Sequence, residues 1–157
     1  MIKASVEPWV EQPLRQFVDD AEVNLALLLY PNGQVLAQHG FTRAMDIMSA
    51  CALAAAIHVS ACELGVQLEG RPFTGLHHAG KDRQIFLAET GTPRGPYIFL
   101  TVFDGQSSLG LVQLFFEEFR VNLANAAPPP PTEPQAMLAD NFEHELNRNL
   151  AALFGRA

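Results

Sequence analysis

Charge is scarce in this chain. Asp, Glu, Lys and Arg make up 17% of its 157 residues, against about 25% in ordinary soluble domains. Only ten residues are Lys or Arg, against 17 Asp or Glu, for a net charge of −7. So few cations tell against tracking of a phosphate backbone, and hence against nucleic acid as a partner. Cysteine is nearly absent: Cys51 and Cys62 are the two, eleven residues apart in one apolar run. About three helical turns separate them, too far for a disulfide within one helix, and core filling is the plainer role. No run of about 20 apolar residues is found, so the sequence predicts no membrane span. The stretch between Asp46 and Glu63 carries no charge, is rich in Ala, Ser and Cys, and reads as a buried helix. Glu7 and Pro8 interrupt any apolar region at the start, so no signal peptide is expected and a cytoplasmic location is.

Catalytic signatures are missing as well. There is no Gly-x-Ser-x-Gly elbow, and the carboxylate pairs Asp19-Asp20 and Glu117-Glu118 are sequence neighbours that read as solvated edges. The histidines (His39, His58, His77, His78, His144) show neither His-x-x-x-His spacing nor a Cys-x-x-Cys partner, so no metal site is expected. Gly75 to Asp82 matches the phosphate-binding pattern G-x-x-x-x-G-K but ends in Asp82 where Ser or Thr must hold Mg²⁺. A strand, not a helix N-terminus, is expected after it, so nucleotide binding there is rejected. The sequence predicts no cofactor and no active site of its own.

What is abundant is apolar residues, 48% of the chain, which excludes disorder as the overall state. Ala126 to Pro134 holds five of the 11 prolines and reads as an extended spacer between a domain, residues 8–125, and a tail, residues 135–157. Val10, Leu14, Phe17 and Val18 keep amphipathic-helix spacing, with Pro13 in the first turn or at a kink. Val23 to Tyr30 and Gln34 to Gln38 read as strands joined by Pro31-Asn32-Gly33, a hairpin signal. A long helix follows from Asp46, a plausible N-cap, to about Leu68. Leu53, Ile57, Leu64 and Leu68 share one side of it, expected to lie on the sheet. The opposite side carries Met48, Ala52, Ala55, Val59 and Glu63, small or apolar where a solvated face would be charged, and is expected to be an interface.

Phe73 to Ala79, Gln84 to Ala88 and Tyr97 to Phe103 read as three further strands, with a loop from Gly91 to Pro96. The segment after Asp104-Gly105 fits a returning strand or a helix capped by Ser107 or Ser108; Glu117, Glu118 and Arg120 favour the helix. The order is then α-β-β-α-β-β-β-α, an α+β sandwich with a five-stranded antiparallel sheet and helices on both faces. In the tail, Leu138, Phe142, Leu146, Leu150, Leu153 and Phe154 repeat at helical spacing, with Gly155 as a stop. Such a helix either folds back on its own domain or docks, on its tether, in a partner's groove.

Several of these residues form a familiar set: the Pro31-Asn32-Gly33-Gln34-Val35-Leu36 hairpin, Asp46 opening a small-residue helix, Phe73 and His78-Ala79-Gly80-Lys81-Asp82. Most specific is Phe103-Asp104-Gly105-Gln106-Ser107-Ser108-Leu109-Gly110-Leu111-Val112, close to a Phe-Asp-x-x-(Ser/Thr)-Ser-Leu-Gly-x-Val run. Over about residues 10–125 the chain resembles the roadblock/LC7 family, and within it the bacterial gliding-motility polarity regulators. The resemblance implies a homodimer with a continuous sheet across the two-fold axis and paired second helices. It implies a partner, a Ras-like small GTPase of the MglA type in its GTP state, and a cytoplasmic site of action at a cell pole. Its members activate the GTPase without an arginine finger, and their C-terminal helix makes a second contact that aids nucleotide exchange. Here that tail contact would fall on Leu138, Phe142, Leu146, Leu150, Leu153 and Phe154, and the GTPase contact on Met48, Ala52, Ala55, Val59 and Glu63. Arg43, just before the helix, is the one basic residue placed to imitate an arginine finger. Phe115, Phe116 and Phe119 depart from the family, whose third helix is more charged, and so does Pro13. Two other classes stay open: a scaffold that binds a GTPase without stimulating hydrolysis, and a small-ligand sensor, which the bulky core side chains disfavour.

Overall fold

The computed structural model describes residues 7–41, 46–130 and 148. The hairpin and cap signals are realised in a five-stranded sheet. Its strands are β1 (Leu25–Leu29), β2 (Val35–Gly40), β3 (Gly75–Ala79), β4 (Gln84–Thr92) and β5 (Gly95–Phe103), in the order β2-β1-β5-β4-β3. Every neighbouring pair is antiparallel. Helices α1 (Pro8–Ala21) and α3 (Leu109–Ala126) cover one face and α2 (Ile47–Glu69) lies on the other. The α+β sandwich with helices on both faces is therefore as expected.

Local chemistry explains most element boundaries. In the β1–β2 hairpin Gly33 takes φ +92°, and the Gln34 N–H donates to Asn32 Oδ1 at 3.0 Å. A Cβ on Gly33 would sit 3.3 Å from the Ala52 Cα, so α2 crosses close over this turn. Asp46 caps α2 by accepting the Ser49 N–H, and Ser108 caps α3 by accepting the Leu111 N–H at 3.2 Å. The segment after Asp104 is thus the helix. Pro13 stands inside α1, past its first turn, and is buried there; its ring removes the bond to the Trp9 carbonyl.

The expected loop at Gly91–Pro96 is instead the tip of the β4–β5 hairpin, paired as far as Thr92 and Gly95. Thr92 Oγ1 accepts the Arg94 N–H and donates to the Gly95 carbonyl, while Gly95 takes φ +132°. One threonine hydroxyl and one left-handed glycine close a two-residue turn that composition alone presents as a loop.

The alternation of β5 divides its residues between two cores. Tyr97, Phe99 and Phe103 face α1 and α3, where Phe17, Phe86, Phe116 and Phe119 join them. Phe116 and Phe119 are buried and Phe115 packs at the rim, so the apolar third helix is largely core. Ile98, Leu100 and Val102 face α2, beside Leu25, Leu27, Leu29 and Leu87.

The Phe103–Val112 run serves as a joint between elements. The Asp104 carboxylate accepts the Gln106 N–H at 2.9 Å and the Asn24 side-chain amide at 3.3 Å. Ser107 Oγ donates to the Ala21 carbonyl at the end of α1. These bonds, the Gln106 N–H first and Asn24 next, hold the Asp104 carboxyl below the ordinary carboxylate range. A folded-state pKa depressed in this way stabilises above the unfolded value and is lost as pH falls through the folded one. Melting followed by circular dichroism should show the midpoint falling below about pH 4. Asp104→Ala should lower the midpoint at pH 7 and flatten part of that acid dependence.

Candidate functional site

Helix α2 is the element the sequence marks for function, and the structure rotates it from the expected orientation. Cys51, Ala54, Ala55 and Gly65 are its buried residues. Leu53, Ile57, Leu64 and Leu68, expected on the sheet, face outward, with Leu53 64% and Leu68 68% exposed. The sheet already supplies bulky Leu, Ile and Val side chains to this interlayer, so the helix fits closely only through its small residues. At Gly65 a Cβ would lie 2.5 Å from the Phe73 backbone nitrogen, where the chain after α2 folds back.

The expected interface face changes accordingly. Met48 (80% exposed) and Val59 (62%) stand out from the domain, and Ala52 and Glu63 are exposed with them. Ala55 does not join them: at 7% exposure it packs on the sheet. Two apolar flanks result at 100° per residue. One carries Leu53, Ile57, Leu64 and Leu68, the other Met48, Ala52, Val59 and Val66, with Glu63 beside them. No Lys or Arg occurs anywhere on α2.

The reading of this stretch as a buried helix is likewise corrected. By length and composition α2 could cross a membrane, and only 17% of its most apolar window is buried. Its contacts through Cys51, Ala54, Ala55 and Gly65 make it instead the covering layer of one sheet face, with an unusually apolar outer surface.

Sequence reasoning missed one cluster. His58 and Cys62, one turn apart on α2, meet Glu89 of β4: His58 Nε2 lies 3.3 Å from Glu89 Oε2 and 3.5 Å from Cys62 Sγ. It is the one group among the described residues that brings three metal-capable donors together, all within 4.8 Å. The His-x-x-x-Cys spacing was the available signal; Glu89, 31 residues from His58, carried none. Burial, and then the Glu89 charge, push the Cys62 thiol above its ordinary pKa. Burial alone pushes Cys51 to about 11, an inert core thiol at neutral pH.

An open cleft of about 730 Å³ lies by β3, β4 and α3, lined among others by Arg71, Phe73, His77, Phe86, Phe116 and Arg120. The expectation that bulky side chains leave no room for a ligand does not extend to this margin. Arg43 and all six tail positions (Leu138, Phe142, Leu146, Leu150, Leu153 and Phe154) lie outside the described residues.

No family model matches the chain. No curated protein matches it either. Solved structures do. The Myxococcus xanthus MglB structure superposes with a TM-score of 0.67 at 22% identity, covering 74% of this chain and 92% of its own. A second MglB, described in a tetrameric arrangement, gives 0.66 at 25% identity over 81% and 93%. A roadblock/LC7 domain from Streptomyces avermitilis gives 0.61 at 14% identity over 76% and 95%. The fold is roadblock/LC7. Within a roadblock sheet, the Phe103–Val112 run is explained by its bonds to α1 and α3, and α2 is left as the exposed apolar layer.

Proposed function

We propose that this chain is a homodimeric regulator of a Ras-like small GTPase of the MglA type. It acts as a GTPase-activating protein in the cytoplasm, at a cell pole, within a polarity or motility system. The observation that carries the reading is the outer surface of α2, apolar on both flanks and free of basic residues, on a fold shared with MglB. The leucine flank faces a second copy of the chain, with the two α2 helices side by side and the sheets continuous across the axis. The flank of Met48, Ala52, Val59 and Glu63 meets the GTPase. Activation comes from preferential binding to one conformation of the GTPase's own catalytic loops, which shifts their population without a residue donated by this chain. The tail supplies a second contact that aids nucleotide exchange.

Single-turnover GTP hydrolysis by the cognate GTPase, with and without this protein, is the test. Stimulation that survives Arg43→Ala and is lost in Val59→Arg supports the reading; Ala55, being buried, is not used. GTP-dependent binding without stimulation would replace it with the scaffold reading. Binding in neither nucleotide state would overturn it. The cleft beside β3 and α3 favours one other reading, a small-ligand sensor, which a ligand retained in native mass spectra of the purified chain would support.

A further inference from the structure

We propose that His58, Cys62 and Glu89 form a site for a divalent ion of the zinc class, joining the middle of α2 to β4. The fold brings the three together from two elements. Residues four apart share a helix face, and His58 and Cys62 lie on the side of α2 that also carries the buried Cys51, Ala54, Ala55 and Gly65. Glu89 follows Leu87 by two along β4, and Leu87 belongs to the core under α2, so Glu89 points to the same layer.

The spacing of the donor atoms suits one ion. Zinc bonds of about 2.3 Å to sulfur and 2.0–2.1 Å to nitrogen or oxygen, set tetrahedrally, imply edges of about 3.5 Å for S···N and about 3.3 Å for N···O. The two edges that meet at His58 Nε2 are 3.5 Å and 3.3 Å, and all three donor atoms lie within 4.8 Å of one another. Both contacts fall on one atom, His58 Nε2. A single imidazole nitrogen carries either one N–H or one lone pair, so it serves two such partners poorly. An ion on that lone pair reaches all three donors.

The donor set, one imidazole, one thiolate and one carboxylate, is borderline-soft and matches zinc better than calcium or magnesium. Its two negative charges neutralise the ion, and the Cys62 Sγ proton leaves to solvent as the metal binds. The His58 side chain is 12% exposed and that of Glu89 50%, which leaves an entry and room for a water as fourth ligand. Because α2 otherwise touches the sheet through small residues and through Ile47 at its start, a bridging ion would pin the helix at its middle.

The test uses the untagged full chain with Co²⁺ and Zn²⁺ as probes. One Co²⁺ per chain should bind with a thiolate-to-cobalt charge-transfer band and tetrahedral ligand-field absorption. Zn²⁺ competition against a chromogenic chelator should show Cys62→Ser, His58→Ala and Glu89→Gln each weakened at least about tenfold, with Cys51→Ala unchanged. Zn²⁺ should raise the melting temperature of the parent chain and not that of Cys62→Ser. Cobalt bound without the thiolate band, Cys62→Ser matching the parent in affinity, or no stoichiometric binding would each overturn the proposal. A circular dichroism spectrum of each variant confirms that it is folded before its affinity is read.

Discussion

Replacing Phe99 by alanine is expected to remove about 3–5 kcal/mol of stability, enough to leave a domain of 5–15 kcal/mol near its threshold. Phe99 sits on the middle strand of the sheet and is fully buried. Its ring meets Phe17 edge-on at 4.8 Å, Phe116 at 4.9 Å and Phe119 at 5.0 Å, so one side chain joins α1, β5 and α3. Truncation leaves a cavity that three rings on two helices must close together, and interiors packed this densely relax only in part. Urea unfolding of Phe99→Ala against Phe115→Ala makes the comparison, because Phe115 lies at the rim of the same cluster. The rim substitution should cost well under half as much. Equal effects, or a loss below about 1 kcal/mol at Phe99, would mean that the sheet and the α1–α3 layer do not meet through this residue.

Where local chemistry decides, the sequence was legible. The Asn32-Gly33 turn, the Asp46 and Ser108 caps, and the β-branched and aromatic run of β5 each state their structure within a few residues. The orientation of α2 was not legible, for a physical reason. Its apolar residues surround the axis, so Leu53, Ile57, Leu64 and Leu68 and the small residues at 51, 54, 55 and 65 both satisfy helical spacing. Hydrophobicity alone favours the leucines inward. Volume decides otherwise, because Leu25, Leu27, Leu29 and Leu100 of the sheet already fill the interlayer, a fact that depends on strands distant in sequence. The β4–β5 turn was hidden in the same way. Gly91, Pro93, Gly95 and Pro96 read as a loop, and the ladder that pairs around them is set by the long strands on either side. The His58–Cys62–Glu89 cluster needed the same long-range placement, since Glu89 lies 31 residues from His58.

The exposed leucines of α2 lead to the second large effect. The double substitution Leu53→Glu/Leu64→Glu is expected to leave the domain folded and to abolish its self-association. Both side chains are more than half exposed in the single chain, so their loss removes little of its own packing. In a dimer built on this flank each would bury roughly another 1 kcal/mol of apolar surface, and the four copies together about 4 kcal/mol. That is close to a thousandfold in the dimer constant, before the added cost of bringing carboxylates into an apolar contact. Light scattering across a concentration series measures it: the parent chain dimeric, the double variant monomeric, and the far-ultraviolet spectra superimposable. Val59→Arg, on the other flank, should remain dimeric, which separates the surface for the twin from the surface for the GTPase. Should the double variant stay dimeric while Val59→Arg becomes monomeric, the two flanks exchange roles. Should both stay dimeric, the second copy is held elsewhere, and the exposed edge of β3, with most of its residues open to solvent, is the next strand to alter.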